Sequence, residues 1–206
     1  MHSTVIDRFF RILAKEFDQP ATVILTGAAA GSLLGHIRTS RDIDFAVRVA
    51  RPGEDTWERL ASAIDRARQR VGIEVNYAED IDRWSSVTLL DYRRHTTAYR
   101  RFGALQVQVL DPIYWAIGKL GRYLEIDVND LVAVLRHHRV PAHRVPAHRA
   151  VEVWGSALRS SPKSAALFQF RRQVEHFLRT YGKTVWGRAF DPEAAVRRFH
   201  RAAGIR

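Results

Sequence analysis

No cysteine occurs in this chain of 206 residues, so neither a disulfide nor a thiolate metal site can brace it, and its stability has to come from packing. The same absence leaves its redox compartment open. Acidic residues are in deficit: 22 Asp and Glu stand against 33 Lys and Arg. The resulting net charge of +11 bears on partners rather than on fold, and it favours an anionic one. Long apolar runs are also lacking. Gln19 to Ile37 carries no Asp, Glu, Lys or Arg and approaches the length of a membrane span, but Pro20, the glycines and His36 break it into strand, turn and helix. No membrane partner is expected. The first residues do not read as a secretory signal either, because Asp7, Arg8 and Arg11 interrupt their apolar character. A cytoplasmic location follows as the default. Hydrophobic content of 46% suffices for a globular protein with one full domain and a smaller one.

Chemistry concentrates between Thr22 and Val47. Thr22 to Leu25 reads as a short buried strand, Gly27 as a turn residue free to adopt a conformation others resist, and a helix starting near Ala29 would aim its N–H groups at an anion. A second strand then carries Asp42-Ile43-Asp44-Phe45. Side chains at i and i+2 share a face, so Asp42 and Asp44 project together while Ile43 and Phe45 anchor the other face in the core. Paired carboxylates suit Mg²⁺, which takes a few carboxylates together with waters and substrate phosphates. A third acid lies on the alternating segment Ile73-Glu74-Val75-Asn76-Tyr77, where Glu74 is the candidate. Its rival is Asp111, although Asp111-Pro112 is what the start of a helix wants: a capping oxygen followed by proline at the first helical position.

Strand, glycine turn, helix, basic segment and D-h-D strand, in that order, resemble the signature of the nucleotidyltransferase superfamily related to DNA polymerase β. Within it, Arg38-Thr39-Ser40-Arg41-Asp42-Ile43-Asp44 is similar to the R-x-S/T-x-D-h-D pattern of AbiEii-type and related bacterial nucleotidyltransferase proteins. A looser likeness runs to about residue 135. Ala28 departs from the pattern, standing where the family has Gly or Ser, so no hydroxyl is available there for a phosphate; Ser32 lies too far along the helix to replace it. The resemblance implies an α/β (α+β) nucleotidyltransferase fold, a small mixed sheet flanked by helices, followed by a helical C-terminal domain.

It implies, further, transfer of a nucleoside monophosphate from a nucleoside triphosphate such as ATP, with two Mg²⁺ ions held by Asp42, Asp44 and Glu74. Glu74 would also take the proton of the incoming hydroxyl. Gly27, Ala28, Arg38, Ser40 and Lys119 would line the nucleotide, and Arg38 and Arg41 can either grip phosphate or brace the carboxylates. Asp127 and Asp130 fit a related pattern of these proteins, but a helix cap plus an exposed carboxylate explains them more simply. The acceptor suggested by the charge, and by toxin-antitoxin relatives, is RNA; a protein hydroxyl or a small molecule stays open, as does a cognate antitoxin or other protein as partner. The alternative reading is a non-catalytic member that keeps the fold as a nucleic-acid or protein-binding module.

The remaining chain supplies the frame. Thr4 to Phe17 forms an amphipathic helix with Val5, Phe9, Ile12 and Leu13 on one face, and Thr56 to Val71 forms a second one capped by Thr56. A hairpin around Phe102-Gly103 precedes a helix over Pro112 to Tyr123 carrying Lys119 and another from Asp127 to about His138. Arg93, Arg94, Arg100, Arg101, Arg171, Arg172, Arg179, Lys183 and Arg188 are interleaved with Tyr92, Tyr99, Phe102, Tyr181 and Trp186, as on surfaces that stack unpaired bases. Phe168, Phe170 and Phe177 are expected in the core. Val140-Pro141-Ala142-His143-Arg144 repeats as Val145-Pro146-Ala147-His148-Arg149, and its proline-broken histidines share no fixed face for a metal. The expected division is therefore 1–138 for the catalytic domain, 139–149 for a linker and 150–206 for C-terminal helices.

Overall fold

The computed structural model describes residues 3–35, 42–81, 87–89, 91–138 and 145–205. They form a mixed α/β architecture divided into two compact units. The first holds α1 (Ser3–Glu16), β1 (Ala21–Thr26), α2 (Gly27–Leu33), β2 (Asp42–Val49), α3 (Thr56–Val71), β3 (Glu74–Ala78), β4 (Thr96–Phe102) and β5 (Leu105–Leu110).

Its five strands lie in the order β3-β2-β1-β5-β4. β2 runs antiparallel to β1, whereas β3 beside β2 and β5 beside β1 are parallel pairs, and β4 closes the sheet as an antiparallel hairpin with β5. Alternation along β2 buries Ile43, Phe45, Val47 and Val49 on one face, where Phe9 and Phe10 of α1 meet the Phe45 ring at centroid distances of 6.1 and 5.6 Å. Edge-on and tilted ring packing of this kind adds to the burial that holds α1 on the sheet.

The stripe that α1 buries is Ile6, Phe9, Phe10 and Leu13, with Phe17 just beyond the helix, and Val5 and Ile12 sit half-buried at its margins. A helical period fixes an apolar stripe but leaves it free to rotate by one residue, and the two phenylalanine rings decide the rotation here. α3 has the expected bounds. Asp55, not Thr56, holds its cap position; Thr56 is the first helical residue, and its hydroxyl accepts from Gly53 N–H in the preceding turn at 2.7 Å, while Gly72 ends the helix in the left-handed conformation at φ 73°.

The second unit is helical: α4 (Pro112–Arg122), α5 (Glu125–His137), α6 (Ala147–Ser160), α7 (Ala165–Trp186) and α8 (Pro192–Ala203). α4 and α5 thus group with the helices that follow them, ahead of the expected boundary at 139–149. Trp154 of α6 centres this unit, fully buried against Phe177 and donating from Nε1 to the Ile113 carbonyl at 3.0 Å. The second copy of the duplicated pentapeptide enters α6, which begins at Ala147, with Val145 buried and its N–H bonded to His138 O. The first copy lies outside the described residues. Phe170 and Phe177 are core as expected. Phe168 is not: it is 62% exposed, and the Arg172 guanidinium lies over its ring at 5.9 Å. Among the described residues no helix is long and apolar enough to cross a membrane.

Candidate active site

Asp42 and Asp44 stand at the start of β2, both half-buried on the face opposite Ile43 and Phe45. Register sets Glu74 beside Asp42 and Asn76 beside Asp44 across the parallel β2–β3 pair, and Thr26 beside Asp44 on the other side. One face therefore gathers three carboxylates and an amide. Asn76 Nδ2 donates to Asp44 Oδ1 at 2.8 Å, which fixes one oxygen of that carboxylate with a neutral partner. Sequence reasoning passed over Asn76, although the alternation that selects Glu74 also selects Asn76 two residues on.

Gly27 completes this corner. It opens α2, two residues earlier than expected, in the left-handed region at φ 59°. A Cβ placed on it would stand 1.9 Å from Asp44 Oδ2, so any side chain here would collide with the carboxylate as well as strain the backbone. The turn and the acid are thus fitted to each other. Ala28 follows, half-buried, and Ser32 spends its hydroxyl on the Ala29 carbonyl at 2.7 Å within the helix. Arg38, Ser40 and Arg41 lie outside the described residues.

Glu74 is in place but turned aside. On the edge strand its side chain is 75% exposed, and its Oε2 accepts from Arg68 Nη1 at 3.1 Å, while Arg68 Nε donates to Asp65 at the same distance. Among the described residues no three His, Cys, Asp or Glu side chains converge closely enough to hold a metal. The pair Asp42–Asp44 still matches what Mg²⁺ asks of a protein, one or two carboxylates with the remaining positions left to water and phosphate.

The rival acid has a structural occupation. Asp111 caps α4, accepting from Ile113 N–H at 2.8 Å ahead of Pro112, and its second oxygen lies 3.6 Å from Arg149.

Lys119 is enclosed. Only 4% exposed, it donates from Nζ to Asp127 Oδ1 at 3.0 Å and to Asp130 Oδ2 at 2.8 Å, and lies 5.6 Å from the centre of the Trp115 ring. Asp127 receives two further bonds from Arg122, at 2.7 and 2.6 Å. Burial alone would raise the Asp127 pKa, but the bonds from Arg122 and Lys119 outweigh it and hold the carboxyl below its ordinary range. Two expectations need correcting. Asp130 is buried rather than an exposed carboxylate, and Asp127 is the third residue of α5 rather than its cap, reaching back to accept from Leu124 N–H at 3.3 Å. Asp130 can leave water because Lys119 on α4 supplies its countercharge.

Four of the nine basic residues named above are engaged in ion pairs. Arg93 pairs with Asp80, Arg100 with Asp7, Arg171 with Glu175, and Arg179 with Glu175 and Glu193. Tyr92 and Phe102 are buried and present no face to a base. Compared with family models, curated proteins and solved structures, the chain matches none.

Proposed function

We propose that this protein is a Mg²⁺-dependent nucleotidyltransferase of the DNA polymerase β-like fold that moves a nucleoside monophosphate from a nucleoside triphosphate to an acceptor hydroxyl. The observation that carries the reading is the fitted corner of Gly27 and Asp44, with Asp42 two residues before it on the same strand face. Asp42 and Asp44 would hold the metal, and the turn at Gly27 and Ala28 would lie against the phosphates. Bound Mg²⁺ supplies neutralisation of the triphosphate charge and alignment of attacking and leaving oxygens. The acceptor oxygen forms its bond to the α-phosphorus as the bond to the bridging oxygen breaks, pyrophosphate leaves, and the acceptor proton passes to Glu74 once that carboxylate leaves Arg68. Arg38 and Ser40, in the segment leading to Asp42, complete the phosphate contacts in this reading. RNA is the acceptor that the +11 charge favours.

One observation favours the non-catalytic alternative: Glu74 is held by Arg68 at 3.1 Å. Incubation of the protein with each α-labelled triphosphate, Mg²⁺ and total cellular RNA or protein separates the two. Transfer of label that disappears in the Asp42→Asn, Asp44→Asn double variant supports the enzyme. Absence of label from every acceptor with the wild-type chain supports the binding module.

A further inference from the structure

The sheet face that bears Asp42 and Asp44 has a second, basic end. Arg48 lies four residues beyond Asp44 on the same face, roughly 13 Å away at the rise of a strand. Register sets Arg48 beside Thr22 of β1, Thr22 beside Gln106 of β5, and Gln106 beside Arg101 of β4. A row of guanidinium, hydroxyl, amide and guanidinium therefore crosses four strands. At the usual strand spacing its end Cα atoms stand roughly 14 Å apart, a gap two long side chains can narrow from both sides. A cavity of about 660 Å³ opens over this row, with Tyr99 in its wall. That volume is far beyond a lone ion and falls in the range that holds an organic ligand.

Charge and geometry identify the occupant. Among the described residues neither Arg48 nor Arg101 is bonded to a carboxylate, since Arg101 Nε donates only to the Gly103 carbonyl of its own hairpin at 3.1 Å. Tyr99 sits at a bulge in β4, between Ala98 and Arg100, where the ladder skips one residue. Its hydroxyl donates to Asp7 Oδ1 at 2.7 Å, and Arg100, neutralised by the same carboxylate, lies over the ring at 5.7 Å. Tyr99 and Arg100 thus both turn to Asp7 of α1, away from the row of Arg48 and Arg101. Ile24 and Ala46, 5% and 4% exposed, separate this cavity from the aspartates, so it is a site of its own.

We propose that the cavity binds single-stranded nucleic acid, with Arg48 and Arg101 on backbone phosphates and Thr22 and Gln106 bonding between them. A recess of this volume takes one flexible strand, whose phosphates can turn to both arginines, and not a stiff duplex. Binding here stands whether or not Asp42 and Asp44 turn over a nucleotide.

Fluorescence anisotropy with a labelled oligouridylate of about 12 nucleotides tests it, with thermal melting of each variant to confirm folding. Arg48→Gln with Arg101→Gln should weaken binding at least ~10-fold and reduce the log-log salt slope by about 1.4, the loss of two single-strand phosphate contacts. Arg48→Lys with Arg101→Lys should retain most of the affinity, because lysine still serves a phosphate as a point charge. Arg197→Gln with Arg201→Gln, the same charge removed from exposed positions of α8, should change it by no more than about twofold. Unmeasurable wild-type binding at low salt, an unchanged slope in the Arg48, Arg101 variant, equal loss in the α8 variant, or equal affinity for a duplex would each overturn the proposal.

Discussion

Two pairs of aspartates in this chain are built from the same side chain and put to opposite uses. Asp127 and Asp130 lie three apart on a helix, buried to 0% and 1%, with Lys119 between them and Arg122 across one. Asp42 and Asp44 lie two apart on a strand, both half-buried, and Asp44 leans on a neutral amide and on the bare Cα of Gly27. A buried carboxylate must be matched by its own chain's cations, or the fold does not keep it. A half-buried carboxylate still reaches water and is under no such demand. What separates the two pairs is thus depth of burial and not the motif.

The sharpest way to break this contrast is at Lys119. If it serves only the helical pair, Lys119→Ala removes the buried cation that Asp127 and Asp130 share and should cost ~3–5 kcal/mol in a urea melt. A variant of unchanged stability that has lost triphosphate binding would return Lys119 to the nucleotide. Glu74 sharpens the other side. As the proton acceptor, its change to Gln should slow transfer at least ~100-fold with little effect on melting, whereas Asp111→Asn should be nearly silent because asparagine caps about as well. The opposite ranking in steady-state transfer rates would move the third acid to Asp111.

The smallest effect is in acid. Asp127 has a folded pKa below its ordinary 3.8, with burial opposed and overcome by Arg122 and Lys119, and Glu175 is lowered likewise, with burial overcome by Arg171 and His200. Groups depressed on folding contribute stability that is fully present above their unfolded values and lost as pH falls through their folded ones. Melting temperature should therefore hold from neutral pH down to the carboxylate range and fall beneath it, and Asp127→Asn should flatten that fall. A wild-type loss that begins near neutrality would point to histidine instead.

Much of the sheet was legible in the chain because a strand's period of two leaves little freedom. Ile43 and Phe45 had to be buried if Asp42 and Asp44 were to share a face, and Gly27 had to be the turn. The bounds of α3 were equally plain, with Thr56 at its entry and Gly72 after Val71. Helical stripes were less so, since Val5 and Ile12 are as apolar as the Ile6 and Phe10 that the core actually takes. Phe170 and Phe177, seven apart, share the buried face, whereas Phe168, two positions from Phe170, lies round the helix from it and faces outward. Asp130 and Lys119 could not be read at all: their burial depends on each other, and that pairing exists only once α4 and α5 meet. Arg48 and Arg101 came together for a similar reason, through a register that no local pattern contains.

Calorimetric titration of a nucleoside triphosphate, with and without Mg²⁺, into the wild type and the Asp42→Asn, Asp44→Asn variant tests the central claim most directly. The account predicts wild-type binding that strengthens when Mg²⁺ is present and a variant that melts no lower but has lost that strengthening. Equal Mg²⁺-dependent affinity in both proteins would contradict it.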